Sequence, residues 1–309
     1  MWWSMIMNKR ILILLVFILT GFGCSLSQNS DAIKKYNQYL SGLSSSDYKN
    51  VSLAMDYYVK NISILSPGEC DLGYVKFREF YDKVDSVFSV VLGTGDPNFT
   101  PRQKIYIRAV DPKYENENDV IAFHKSLGEN GFYISAGSEP GYYVGEPEGF
   151  MVDKFGKYVS PVISEYLKLR EVNLKNPAYY DIYIWITPEE MADRLKNWDK
   201  YLSDYPNSLV FEKAKFEMSR YLNDFLCIFL PFQDSNPNGE TNLMTFDMSG
   251  TMTPTGKMLY EKLISECGDS YLGNLLRNYY DVLKKTGYQR NSQAIEFLKS
   301  RGFEVYKEN

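Results

Sequence analysis

Trp198-Asp199-Lys200-Tyr201-Leu202-Ser203-Asp204-Tyr205-Pro206-Asn207-Ser208 recurs 62 residues later as Tyr260-Glu261-Lys262-Leu263-Ile264-Ser265-Glu266-Cys267-Gly268-Asp269-Ser270. Aromatic, acid, lysine, apolar, serine and acid return in the same order, and Asn/Asp-Ser closes each copy. Pro206 or Gly268 stops one helix, and Ser208 or Ser270 is placed to cap the next. Each copy leads into a second apolar-periodic run, Leu209 to Leu226 and Tyr271 to Leu283. The physical reading is an αα-hairpin used twice, so the fold class is mainly α, built of helical hairpins.

Working outward, helical spacing continues upstream at Thr187–Leu202 and Lys157–Val172. Tyr180 to Ile186 is ambiguous between a short strand and a buried helical turn. At the other end, Asp31 to Leu43 places Ile33, Tyr36, Tyr39 and Leu40 on one face. Asp47 is positioned to cap a second stripe over Val51–Ile62. Leu72–Val91 forms a third helix after Ser66-Pro67-Gly68. Between the helical halves the pattern changes to a small insertion with β content. Lys104–Val110 alternates as a strand does, and Val120–His124 is an apolar, strand-like run. Gly131–Gly137 and Tyr142–Gly145 flank Glu139-Pro140-Gly141 and read as a β-hairpin. The expected organisation is a leader at 1–23, a tether at 24–30, a helical part at 31–95, a mixed segment at 96–156, and a helical-repeat part at 157–309 with a loop insert at about 231–251.

The leader supplies an address. Lys9 and Arg10 precede an apolar run, Ile11–Leu19, that is too short for a bilayer span of roughly 20 residues. Gly21-Phe22-Gly23-Cys24 resembles the lipobox of bacterial lipoproteins, with Gly21 where that pattern favours Leu. The resemblance implies a signal peptide removed before Cys24, acylation of Cys24 (a palmitate-type anchor), and a cell-envelope location facing the periplasm or exterior. Ser25–Ser30 reads as a flexible tether. Loss of residues 1–23, which hold two cations and no acids, moves the net charge from −5 to −7. An acidic chain lacks the basic stripe that nucleic acid demands.

The segment from Trp198 to Leu222, with Tyr205-Pro206-Asn207-Ser208 at its turn and Ala214 beyond, resembles tetratricopeptide repeats of envelope lipoproteins. The order of parts is similar to a group of uncharacterised bacterial lipoproteins: helical N-terminal part, Gly-Phe and Glu-Pro-Gly tyrosine hairpin, Tyr-Pro-x-Ser helix pair, then Phe246-Asp247. That resemblance implies no activity. Tetratricopeptide units recur every ~34 residues. The spacing of 62 here departs from a continuous superhelix.

Chemistry is narrowed by what is scarce. His124 is the only histidine, which weighs against Ser-His-Asp, Cys-His and His-rich zinc sites. Besides Cys24 there are Cys70, Cys227 and Cys267, so at most one disulfide can form among them. No catalytic residue is assigned. Glu139, Glu146 and Glu148 cluster in the hairpin with Tyr142 and Tyr143 as a candidate peptide or sugar contact site. The same carboxylates are the candidates for a glycoside hydrolase, the least favoured alternative. Asp234, Asn236 and Asn238 before Gly239 match the first half of a calcium loop, although the closing position holds Thr245. No cofactor beyond that calcium is expected. The leading expectation is a non-enzymatic envelope scaffold whose region 187–300 binds a protein or peptide partner. The alternative is a lipoprotein that binds a glycan or cell-wall fragment.

Overall fold

Proline marks where many of the helices start, because its missing N–H is unused in a helix's first turn. The computed structural model describes residues 31–93, 101–136, 142–180, 183–227, 245–247 and 249–303. Helices α3 (Pro67–Gly93), α4 (Pro101–Val110), α7 (Pro161–Lys175), α8 (Pro188–Asp204) and α10 (Pro254–Cys267) all begin at proline. The chain is mainly helical with a small antiparallel two-stranded sheet. It divides into two compact units, residues 1–160 and 161–309.

In the first unit, α1 (31–42) runs back along α2 (Asn50–Asn61). Tyr36 donates from its hydroxyl to the Ala54 carbonyl, and the Tyr39 ring lies 4.4 Å from Tyr57. Asp47 holds the turn before α2 by accepting from Lys49 N–H; the residue at the cap itself is Lys49. A capping-box contact opens α3: the Glu69 carboxylate accepts from Ser66 N–H and Oγ–H. The core is aromatic. Phe155, the last residue of helix α6 (Phe150–Phe155), sits 4.9 Å from Tyr58, 5.4 Å from Tyr74 and 4.6 Å from Phe77. Tyr81 stacks flat on Phe132 at 4.8 Å and 7°. Such pairs contribute about 0.5–1.5 kcal/mol each beyond simple burial.

Two sequence expectations are corrected here. Lys104–Val110 is helical, within α4, and Val120–His124 is helical, within α5 (Asn118–Glu129). Seven alternating residues do not distinguish a strand from one helical face. What decides is packing: the Tyr106 ring lies 5.8 Å from Phe88 and 5.2 Å from Phe123, with Pro101 opening the helix. His124 is exposed on α5, and its Nε2 lies 2.9 Å from the Ala109 carbonyl. The hairpin forms as β1 (Tyr133–Ala136) and β2 (Tyr142–Gly145), with Ile134 opposite Val144, both buried. Its expected Pro140-Gly141 turn lies outside the described residues.

In the second unit, the expected helix pairs are present as α8 with α9 (Phe211–Cys227) and α10 with α11 (Tyr271–Lys285). Thr187 Oγ1 accepts from Glu190 N–H, and Thr253 Oγ1 accepts from Gly256 N–H. Ser270 caps α11 by accepting from Gly273 N–H. Ser208 holds the turn that feeds α9 by accepting from Val210 N–H. The first helices of the pairs lie against each other, with Lys196 of α8 bridging Glu266 of α10 at 2.8 Å. Repeat-equivalent positions are buried alike: Trp198 and Tyr260, Tyr201 and Leu263, Val210 and Leu272, Ala214 and Leu276. Helix α12 (Ser292–Lys299) packs on α11. The ambiguous Tyr180–Ile186 segment contains a two-residue antiparallel pair, β3 (Tyr179–Tyr180) with β4 (Tyr183–Ile184). Isolated bridges Phe246–Met252 and Thr251–Gln289 add further β pairing that the sequence pattern did not show. Among the described residues no helix is long and apolar enough to cross a membrane.

Candidate functional site

The hairpin presents two faces because side chains alternate along a strand. Ile134 and Val144 face inward. Tyr133 and Tyr143 lie on the opposite face, with ring centroids 5.8 Å apart at 62°. Gly145 stands opposite Tyr133, and a Cβ there would come 2.7 Å from that ring. Glycine therefore lets Tyr133 lie down over the strand, while Tyr143 stands 56 % exposed beside it. Burial, and then the neighbouring Tyr143, push the Tyr133 hydroxyl up to about 12, so it stays a neutral donor at physiological pH. Burial also raises the Tyr142 hydroxyl.

The expected carboxylates part company. Glu146 is buried and pairs with Arg78 of α3 through Nη1. Arg78 also bonds Asp82 at 2.6 Å and lies over the Tyr81 ring at 4.9 Å. This carboxylate is a strut between α3 and the end of β2. Glu148 is exposed. Glu139 lies outside the described residues, as do Cys24 and the calcium-loop candidates Asp234, Asn236 and Asn238. Among the described residues no group of three His, Cys, Asp or Glu side chains could hold a metal ion. Tyr133 and Arg78 went unnoticed in the sequence. Only Gly145, placed to pair with Tyr133 once the hairpin register is known, signals the first.

The second unit has a surface of its own. On α9, Ala214, Met218 and Tyr221 are buried, while Glu212, Lys215, Phe216, Ser219 and Arg220 form the outer stripe. Phe216 is 63 % exposed at the middle of that stripe. Behind it, the buried Arg194 ties α8 to its surroundings, donating to Asn176 O at 2.6 Å, Glu190 Oε1 at 2.7 Å and Asn173 Oδ1 at 3.2 Å. Cys70 is buried and free, with its thiol 3.3 Å from the Ile62 carbonyl. Cys267 is free, and burial, then the nearby Asp199 and Glu266, push its thiol up to about 11.

No protein-family model, curated protein or solved structure matches this chain.

Proposed function

We propose that this chain is a lipid-anchored cell-envelope protein, held by acylated Cys24, whose tetratricopeptide-like helix pairs bind a protein partner without catalysis. The observation that carries the reading is Phe216, a large aromatic left in water at the centre of a charged stripe on the second helix of a helix pair. A central aromatic ringed by polar groups is the usual anatomy of an interface hot spot. Helix pairs whose first helices stack are a natural support for such a face. A photoreactive residue at position 216 in living cells should give one reproducible protein adduct. Phe216→Glu should abolish the corresponding complex while the protein remains membrane-bound. Complexes unchanged by Phe216→Glu sink the reading.

A second reading is favoured by Tyr133 and Tyr143. Two phenol rings set at an angle on one sheet face offer both ring surface and hydroxyls to a glycan. Cell-wall oligosaccharides should then raise the melting temperature, since a ligand that binds only the native state stabilises it. Tyr143→Ala should remove that rise. A flat response across the panel ends this reading.

A further inference from the structure

The charges on the outer stripe of α9 stand in a definite order about Phe216. Glu212 lies four residues before it and Arg220 four residues after it, and both are exposed. At 3.6 residues per turn, these two flank the ring at about 40° to either side and about 6 Å along the axis. Lys213 and Ser219 hold the places three residues before and three after. Lys215 and Glu217 sit about 100° away, too far round the helix to enter a contact centred on Phe216. Leu209, 51 % exposed, continues the apolar line one heptad earlier. The stripe thus carries both signs, and a partner of one sign gains nothing from it. The partner that fits has an apolar centre and the reverse order of signs. The same stripe run in the opposite direction is such a partner. An antiparallel copy related by a two-fold axis at Phe216 sets ring against ring and brings each Glu212 level with the other copy's Arg220. A parallel copy would set Glu212 on Glu212 and Arg220 on Arg220.

We infer that α9 pairs with α9 of a second copy of this chain, antiparallel about Phe216, with a Glu212–Arg220 bridge on each side of the two rings. The inference rests on the reading of Phe216 as the contact residue for a protein partner, and it names that partner. Two exposed rings leave water together, and an aromatic pair gains attraction beyond its burial. Arg220 Nη1 also lies 3.6 Å from Glu217 Oε2 on its own helix. A guanidinium has five N–H donors in a planar fork, so that contact is compatible with a second carboxylate. One helix face against its copy is a small interface, in the size class of transient contacts. The test therefore traps the pair covalently where the chain is expressed.

Benzoylphenylalanine replaces Phe216 in the full chain, and two epitope tags mark separate copies in the same cells. Irradiation should give an adduct of twice the chain's mass that carries both tags, with the cross-link mapping to the α9 stripe. Glu212→Arg alone, and Arg220→Glu alone, should each cut that adduct about tenfold, because two opposite-sign contacts become two like-sign ones. The two variants expressed together should restore it, and the restored adduct should hold one chain of each kind. Glu212→Arg with Arg220→Glu in one chain should pair with itself as the parent does, which separates a broken contact from a misfolded chain. A full-strength adduct in either single variant overturns the two-fold pairing, as does failure of both the mixture and the double variant to recover. An adduct to a different protein overturns the second copy and leaves the partner reading standing. No adduct, with the chain present at the parent's level, overturns both.

Discussion

Gly256 is the third residue of α10, and its missing side chain is a packing requirement. A Cβ there would lie 2.1 Å from the Thr245 carbonyl oxygen, a backbone atom that cannot rotate away. Thr253, one turn earlier, accepts from Gly256 N–H and receives nothing bulky in return. Gly128 is the opposite case: it lies inside α5, where nothing is within 4 Å of an added Cβ. Gly256→Ala should therefore destabilise the second unit by about 3 kcal/mol, at the upper end of overpacking costs. Gly128→Ala should stabilise the first unit by about 0.5–1 kcal/mol, because alanine loses less backbone entropy in a helix. Urea midpoints with unchanged slopes read both effects. A Gly256→Ala protein as stable as its parent would show that the backbone at Thr245 is not held against α10.

At the scale of elements, the helix pairs were legible because their apolar period runs for four or five turns and the punctuation repeats. Trp198, Tyr201, Ala214 and Met218 sit at the spacing a buried face demands, and all are buried. The strand readings over Lys104–Val110 and Val120–His124 failed for lack of length, and Pro101 was the unused signal. A second unused signal is Thr-Pro. Thr187-Pro188 and Thr253-Pro254 open the first helix of each pair, and each threonine accepts from the N–H three residues on. Each satisfies a donor that the helix itself leaves open, an effect worth about 1 kcal/mol. Thr187→Ala and Thr253→Ala should each lower the stability of the second unit by about that amount. They cap different helices, so the double variant should lose about 2 kcal/mol. A double variant no worse than either single one would mean that the two helix starts are coupled rather than independently capped.

At the scale of the whole molecule, the candidate site shows what sequence could not supply. Tyr142, Tyr143 and Glu146 fall where a hairpin places them, but the partner of Glu146 is Arg78, 68 residues earlier, and no local pattern announces it. The same distance effect governs the core. Phe155 is fully buried among Tyr58, Tyr74 and Phe77, contacts that close loops of about 80 to 100 residues and belong wholly to the first unit. The second unit holds a separate aromatic core in which Tyr260 stacks on Phe225 at 5.1 Å. Two units, each with its own aromatic core, should open independently. Phe155→Ala removes a large buried ring and should cost about 3–5 kcal/mol. Hydrogen exchange should then accelerate in α2, α3 and α6, while amides of α8 to α11 keep their rates. Equal acceleration in both sets would mean that the chain unfolds as one cooperative body, and that burial in the first unit sustains the helix pairs of the second.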